Sequence, residues 1–431
     1  MKIFLSSLQW AAFILVGSIV APIVIGVEFG LSTIEIAAFL QRTLFVLGCA
    51  ALLQVLFGHH LPVAEGPAGL WWGIFIVYAG LASSGALTEV AALRQLEATM
   101  LISGILFILI GLFRGVDKIK RLFTPLVTGT FLILLVAQLG GSFVKGVIGV
   151  GYLTDSVEPK IAIPAIIILV TTILLSRSRY SFIRSYSILM SLGIGWLLFY
   201  LLGLTKPLEK HSGVLALPKI FAFGIPDFTA GTVITAAITT MLLLTNLIAS
   251  VSVIENVIRN QTGATSIQNF NRSSFWAGIN QGLSGLFGAV GPVPLSATAG
   301  FLLTTRTVEK LPFILANALI IIISFFPAFT SIAANIPSPV GYAVIFITIA
   351  SLASLGIKEY HSLELTEREL FIISLSLMVG IGCLFIPSAA ITHLPNVVML
   401  LANNGLILGT VVCILLEQLF KIKERIQNEK E

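Results

Sequence analysis

Apolar residues run along this chain in blocks of about twenty, and the short stretches between the blocks hold most of its charge. A helix needs about 20 consecutive apolar residues to cross a bilayer. Full-length candidates fall near 8–27, 35–57, 94–113, 124–146, 159–176, 183–204, 229–258, 274–290, 311–330, 337–356, 368–388 and 396–420. Two further apolar pieces, near 68–80 and 296–306, are too short to cross as simple helices. Together they make about fourteen membrane elements, the pattern of an all-α polytopic membrane protein.

Both short pieces follow an interruption by glycine and proline. The first follows "LPVAEGPAGLWW" (Leu61–Trp72). The second lies in "GLFGAVGPVPLSATAGFLLTTR" (Gly285–Arg306), whose flanks read as membrane helix while its middle holds Gly288, Gly291, Pro292 and Pro294. One is third among the first seven elements, the other third among the second seven. An odd number of crossings per half gives the halves opposite topology: 1–204 as a first inverted repeat, 205–420 as a second, with a short tail at 421–431. Interrupted segments at corresponding positions of inverted halves point to a transporter's binding site. Free backbone at that depth survives only inside protein or beside a wet cavity. Two ordinary kinked helices are the alternative, which leaves the matching positions unexplained.

Composition narrows the class. Of the 431 residues, 57% are hydrophobic and 10% charged, against about a quarter charged in soluble domains. No A-x-A-like site follows the first apolar run, so it is expected to stay as a span. Cys49, Cys383 and Cys413 all lie in apolar segments and read as small buried hydrophobes. The net charge of +5 sits at span ends, which speaks against nucleic acid as a partner. With Lys2 cytoplasmic and every element crossing once, the basic clusters fall on one side: Arg114/Lys118/Lys120/Arg121, Arg177/Arg179/Arg184, Arg259/Arg272, Arg306/Lys310, Lys358/Arg368 and Lys421/Lys423/Arg425. The other side keeps Lys145, Lys160, Lys206, Lys210 and Lys219. This asymmetry needs both short pieces to cross, and it places both termini on the cytoplasmic side of a cell membrane.

Four stretches carry a family likeness. They are "SLQW" (Ser7–Trp10) with Pro22 beyond, "SGLFG" (Ser284–Gly288), the run Gly300/Thr305/Arg306, and "IPSPVGY" (Ile336–Tyr342) followed by "SLGIK" (Ser354–Lys358). In this order they resemble the nucleobase–ascorbate transporter family, in particular its bacterial uracil and xanthine permeases. The resemblance implies a seven-plus-seven inverted repeat with core and gate domains interleaved across both repeats. It also implies two strand-then-helix elements, the third and tenth, that hold a base at the midplane. Symport with a proton, or with sodium, is usual in the family, and no cofactor is implied. The partners expected are a small solute and the bilayer, with a homodimer left open.

The departures from the family are chemical. Its eighth-span carboxylate falls at Asn246, the histidine one turn later at Ser250, and the carboxylate before the signature asparagine at Ala297, with Thr298 in the asparagine's place. The polar shape of a site persists in Asn246, Ser250, Ser296 and Thr298, facing Gly69, Leu70 and Trp71 across the repeat. Trp71, Trp72 and Phe75 could wall a flat base, and core packing explains Trp72 equally well.

An ionisable group within a span is expensive and functional by default. Glu65, beside Gly66-Pro67 and near His59 and His60, is the candidate proton site; a carboxylate in a short loop is the bland reading. Glu97, Glu255 and Glu417 lie nearer helix ends and read as snorkelling or solvated groups. Arg306 falls where a cation meets a half-helix C-terminus and is a doubtful solute ligand. The leading function is a secondary transporter for a nucleobase-like heterocycle such as uracil or xanthine. An anion or aromatic-carboxylate carrier or channel on the same architecture is the alternative, since positive helix ends without carboxylates suit an anion. No nucleophile–base set, H-E-x-x-H or phosphate loop is present, so no catalytic or metal residue is assigned and an enzyme is not expected.

Overall fold

The computed structural model describes residues 2–83, 85–116, 124–154, 156–180, 183–184, 187–205, 213–263, 268–305, 307–386 and 405–428. Lys118, Lys120, Arg121, Lys206, Lys210, Arg306 and residues 387–404, where the last apolar candidate begins, lie outside these residues.

The chain is mostly helical. Helices α1 (Lys2–Glu28) and α2 (Thr33–Phe57) lead to a short strand, β1 (Glu65–Pro67), and to α3 (Gly69–Ser83). Then come α4 (Glu89–Leu112), α5 (Pro125–Val147), α6 (Pro159–Ser176) and α7 (Ser187–Leu201). After a non-helical segment follow α8 (Ala230–Thr262), α9 (Phe270–Phe287), strand β2 (Pro292–Pro294) and α10 (Ala297–Thr305). The last elements are α11 (Lys310–Ser324), α12 (Pro327–Ala334), α13 (Ser338–His361), α14 (Glu367–Cys383) and α15 (Gly405–Asn428). Among the described residues, seven helices are long and apolar enough to cross a membrane.

Local chemistry sets the element ends. Ser32 and Glu35 close a capping box on α2, and Thr229 with Thr232 does the same for α8. Helix α9 ends at Gly288, whose φ of +55° is the left-handed cap that glycine reaches without strain. A Cβ there would also stand 2.6 Å from the Glu97 carboxylate.

Two expected spans differ from what is found. The candidate at 311–330 is not one straight helix, because α11 and α12 meet at an 88° bend. Pro327 has no N–H to continue the helical ladder, so a new helix starts on it instead. The last helix runs on through Lys421, Lys423 and Arg425 to Asn428, so most of the expected tail is helical.

Helices α1–α4 and α8–α12 pack on one another, as do α5, α6, α7, α13, α14 and α15. The two groups meet mainly where α1 lies on α13 and α3 on α5. In the first group, α4 and α9 touch backbone to backbone. A Cβ on Gly278 would lie 2.5 Å from the Gly104 carbonyl oxygen and 2.7 Å from the Ile108 nitrogen. Small residues permit such approach in membrane helix pairs. Gly278→Leu is therefore expected to abolish recovery of folded protein, since even moderate overpacking costs about 1–3 kcal/mol. Gly282, one turn on, would meet nothing within 4 Å, and Gly282→Ala should behave as the native chain. Size-exclusion profiles of both variants in detergent check this; a monodisperse Gly278→Leu peak of native height would contradict it.

Candidate functional site

The two interruptions meet. Strands β1 and β2 pair antiparallel with Glu65 opposite Pro294, Gly66 opposite Val293 and Pro67 opposite Pro292. The backbone N–H of Ala68 donates to Gly291 O, and that of Leu295 to Ala64 O, each at 2.9 Å. Pro67, Pro292 and Pro294 cannot donate, so the ladder stays this short. A two-stranded ribbon is marginal alone, and here α1, α2, α8 and α9 enclose it. Gly66 is required by close approach, as a Cβ would lie 2.5 Å from Leu295 Cδ1. Helices α3 and α10 start from the ribbon, so their first N–H groups have no acceptor within their own helices and carry the positive ends of the dipoles.

Beside the start of α10 lies a strip of small polar groups. Asn246 and Ser250 stand one turn apart on α8, on one face. The Ser250 hydroxyl donates to Asn246 Oδ1 at 2.8 Å, and Ser250 Oγ lies 2.7 Å from Ser296 Oγ. A hydroxyl has one proton to give, so in this arrangement Ser296 donates to Ser250. Asn246 is half-buried, Ser250 buried, and Ser296 and Ala297 are exposed. The strip thus ends at an open surface formed by the first turn of α10.

The other expected site residues lie around the ribbon. Thr298 is fully buried, and its Oγ1 accepts the Ala64 N–H at 3.2 Å, tying α10 to the strand before β1. Leu70 is buried, while Gly69 is half-buried and faces Leu352 of α13. Trp71 is fully buried, its indole N–H donating to Gln281 Oε1 at 2.8 Å, and Gln281 Nε2 donates to Pro292 O at 2.7 Å. Trp72 packs on Phe143 and Phe75 on Phe39 and Phe29.

Glu65 is not in a solvated loop. It is 2% exposed in β1, and it lines a cavity of about 10 Å³ with Asn280, Gln281, Phe107, Leu243 and Leu247. The solvated reading also fails for two other glutamates. Glu97 is fully buried and accepts the Phe223 N–H at 3.3 Å, close enough to Arg42 to interact electrostatically. Glu417 is 5% exposed, accepts the Thr124 hydroxyl and pairs with Lys421 at 2.8 Å. Glu255 is half-buried.

Asn280 and Gln281 are polar residues beside the ribbon that the sequence does not single out. Two adjacent amides mid-helix are the signal that marks them, but α9 is rich in Gly and Ser and offers little contrast. The segment before α8 was missed as well. It lies across the first group as a strap: Gln41 Nε2 donates to Ala216 O, Phe221 N to Leu286 O, and Gln95 Nε2 to Asp227 Oδ2.

Comparison with known proteins shows the family. A family model described as "Permease family" matches residues 1–389. YwdJ of Bacillus subtilis (strain 168), which carries the provisional name purine permease, is 40% identical over 421 residues, covering 97% of this chain and 96% of that protein. The xanthine permease of the same organism is 24% identical over 412 residues, covering 94% and 91%. Among solved structures, the transmembrane domain of a cyanobacterium bicarbonate transporter, BicA, aligns with a TM-score of 0.62 at 17% identity, over 95% of this chain and 97% of that one. At that identity the likeness concerns the fold.

Proposed function

The chain belongs to the permease family, the nucleobase–ascorbate transporters, and from that premise we propose that it carries a nucleobase-like heterocycle, a purine or pyrimidine, across the cell membrane as a proton-coupled secondary transporter. Its being an integral membrane transporter and not an enzyme follows from membership of the family. The solute site is the cleft between the α10 start and α8. Asn246 and Ser250 supply side-chain donors and acceptors, Ser296 and Ala297 the start of α10, and Gly69 the start of α3 at the other end of the ribbon. Both termini are cytoplasmic in this reading, the first helix group is the core and the second the gate. The observation that carries the proposal is the Asn246–Ser250–Ser296 chain of hydrogen bonds ending at the open turn of α10. A flat heterocycle has edge donors and acceptors to meet it, and the small side chains leave room for its ring.

The test is a competition panel in a permease-null strain: labelled purines and pyrimidines against small anions, with single cysteines at Gly69 and Ala297. Bases that compete for uptake should also shield both cysteines from a thiol reagent. Uptake of bicarbonate or an aromatic carboxylate with no base competing would replace the proposal with the anion carrier.

A further inference from the structure

Glu65 shares its surroundings with a histidine whose protonation the backbone dictates. His59 is 1% exposed, and its Nδ1 accepts the Leu61 N–H at 3.1 Å. A ring nitrogen that accepts an N–H carries no proton, so the neutral imidazole bears its hydrogen on Nε2. That Nε2 lies 3.9 Å from Glu65 Oε1, and both atoms are buried without a hydrogen-bond partner. Asn280, also 1% exposed, lines the same cavity as Glu65, and its Oδ1 is likewise buried and unpartnered. The cavity there is the size of about one water. The carboxyl thus stands near one unpartnered donor, and an unpartnered acceptor lines the same cavity.

We propose that His59 is a positioning residue for Glu65: the carboxylate turns to His59 Nε2–H when it has released its proton, and the carboxylic acid turns to Asn280 Oδ1, directly or through one water, when it holds it. This rests on reading Glu65 as the coupling site. In the step, the Glu65 O–H bond breaks, the proton goes to water on whichever side is open, and the electron pair stays on the carboxylate. His59 keeps its own Nε2 proton throughout. It cannot relay, because Nδ1 is occupied by Leu61.

The other elements packed on the carboxyl contribute no competing charge: Phe107 from α4, Leu243 and Leu247 from α8, Asn280 and Gln281 from α9, and Pro292, Val293 and Pro294 from β2 are all uncharged. The chains of α1 and α2 that pack on β1 place their own charges elsewhere, Glu28 on Tyr342 and Arg42 beside Phe39 and Phe223. The titratable groups near His59, besides Glu65, are His60, Arg272 and Lys310, with Arg272 Nε donating to Gly58 O. The link to the solute face is short. Glu65 pairs with Pro294, two residues before the Ser296 that meets Ser250.

The experiment compares native protein, His59→Phe, His59→Gln and Glu65→Gln in proteoliposomes, by acid-driven accumulation and by solute exchange at equal pH on both sides. An infrared difference spectrum between acid and base, in which the band absent from Glu65→Gln reports the Glu65 carboxyl, gives its titration midpoint. His59→Phe should keep exchange, lower acid-driven uptake by about tenfold, the worth of one hydrogen bond to a charged group, and move the midpoint. His59→Gln, which keeps an N–H at the Nε2 position but cannot titrate, should restore uptake to near native. If His59→Phe does not reach the membrane, His59→Gln decides alone: near-native accumulation supports a donor role, and its loss overturns it in favour of a titrating relay. Native accumulation by His59→Phe, with Glu65→Gln inactive in it, would overturn this inference alone. Acid-driven accumulation by Glu65→Gln would remove the coupling reading and this inference with it.

Discussion

Replacing Asn246 with leucine is expected to abolish uptake while leaving the amount of folded protein in the membrane unchanged. The side chain is half-buried, and its Oδ1 is held by Ser250, which keeps Ser296 as a partner when the amide is gone. Leucine has the same number and branching of side-chain heavy atoms, so the helix face is not emptied. The Asn246 NH2 makes no hydrogen bond among the described residues, which leaves it for the solute. A lost hydrogen bond that strands a buried partner costs about 1–3 kcal/mol, or up to about a hundredfold in affinity at about 1.4 kcal/mol per factor of ten. That loss falls on a base inside the closed site, where no water replaces the missing group. Asn246→Ser should be milder, since a hydroxyl retains one donor and one acceptor. Initial uptake rates of each variant, normalised to protein in the membrane, check both; native rates for Asn246→Leu would remove this residue from the site.

The two interruptions were legible in advance because proline and glycine act locally. Pro67, Pro292 and Pro294 each remove a donor wherever they stand, and no packing restores it. The one-turn spacing of Asn246 and Ser250 was legible for the same reason, as helical periodicity alone puts them on one face. What was not legible depends on contacts across the chain. Thr298 and Trp71 read as solute-facing from position, yet one is consumed by Ala64 N–H and the other by Gln281, more than 200 residues away in each case. Nothing in the apolar run around Trp71 distinguishes an indole that stacks on a solute from one that locks a ribbon to α9. Glu97 failed similarly: its place near a helix end suggested solvent, but the strap carrying Phe223 covers it. The bend at Pro327 was present in the sequence, and it was the continuity of apolar residues around it that hid the break.

Glu65→Gln is expected to separate exchange from accumulation. In the resemblance drawn from the sequence, the family's two site carboxylates fall at Asn246 and Ala297, neither of which can titrate, so on that reading a proton that travels with the solute needs another carrier. Glu65 is a buried carboxyl on the ribbon that leads to the solute strip, near the His59 donor and lining a small cavity with Asn280. An ionised carboxylate enclosed in that way without a hydrogen bond is costly, so the closed transporter carries the group either with its proton or bound to a donor. Glutamine reproduces the protonated form in shape and neutrality and cannot release a proton. Solute binding and the rocking of the helix groups should therefore persist, and counterflow at equal pH should run at native rate. With one proton per solute, a gradient of one pH unit is worth about 1.4 kcal/mol and sustains about tenfold accumulation. The native protein should reach that ratio in proteoliposomes acidified outside, and Glu65→Gln should stop near equal concentrations. A variant that still concentrates solute with acid outside would place the coupling proton on another group. A native protein that never exceeds equality would be a uniporter or one driven by sodium, and repeating the assay with a sodium gradient separates those two.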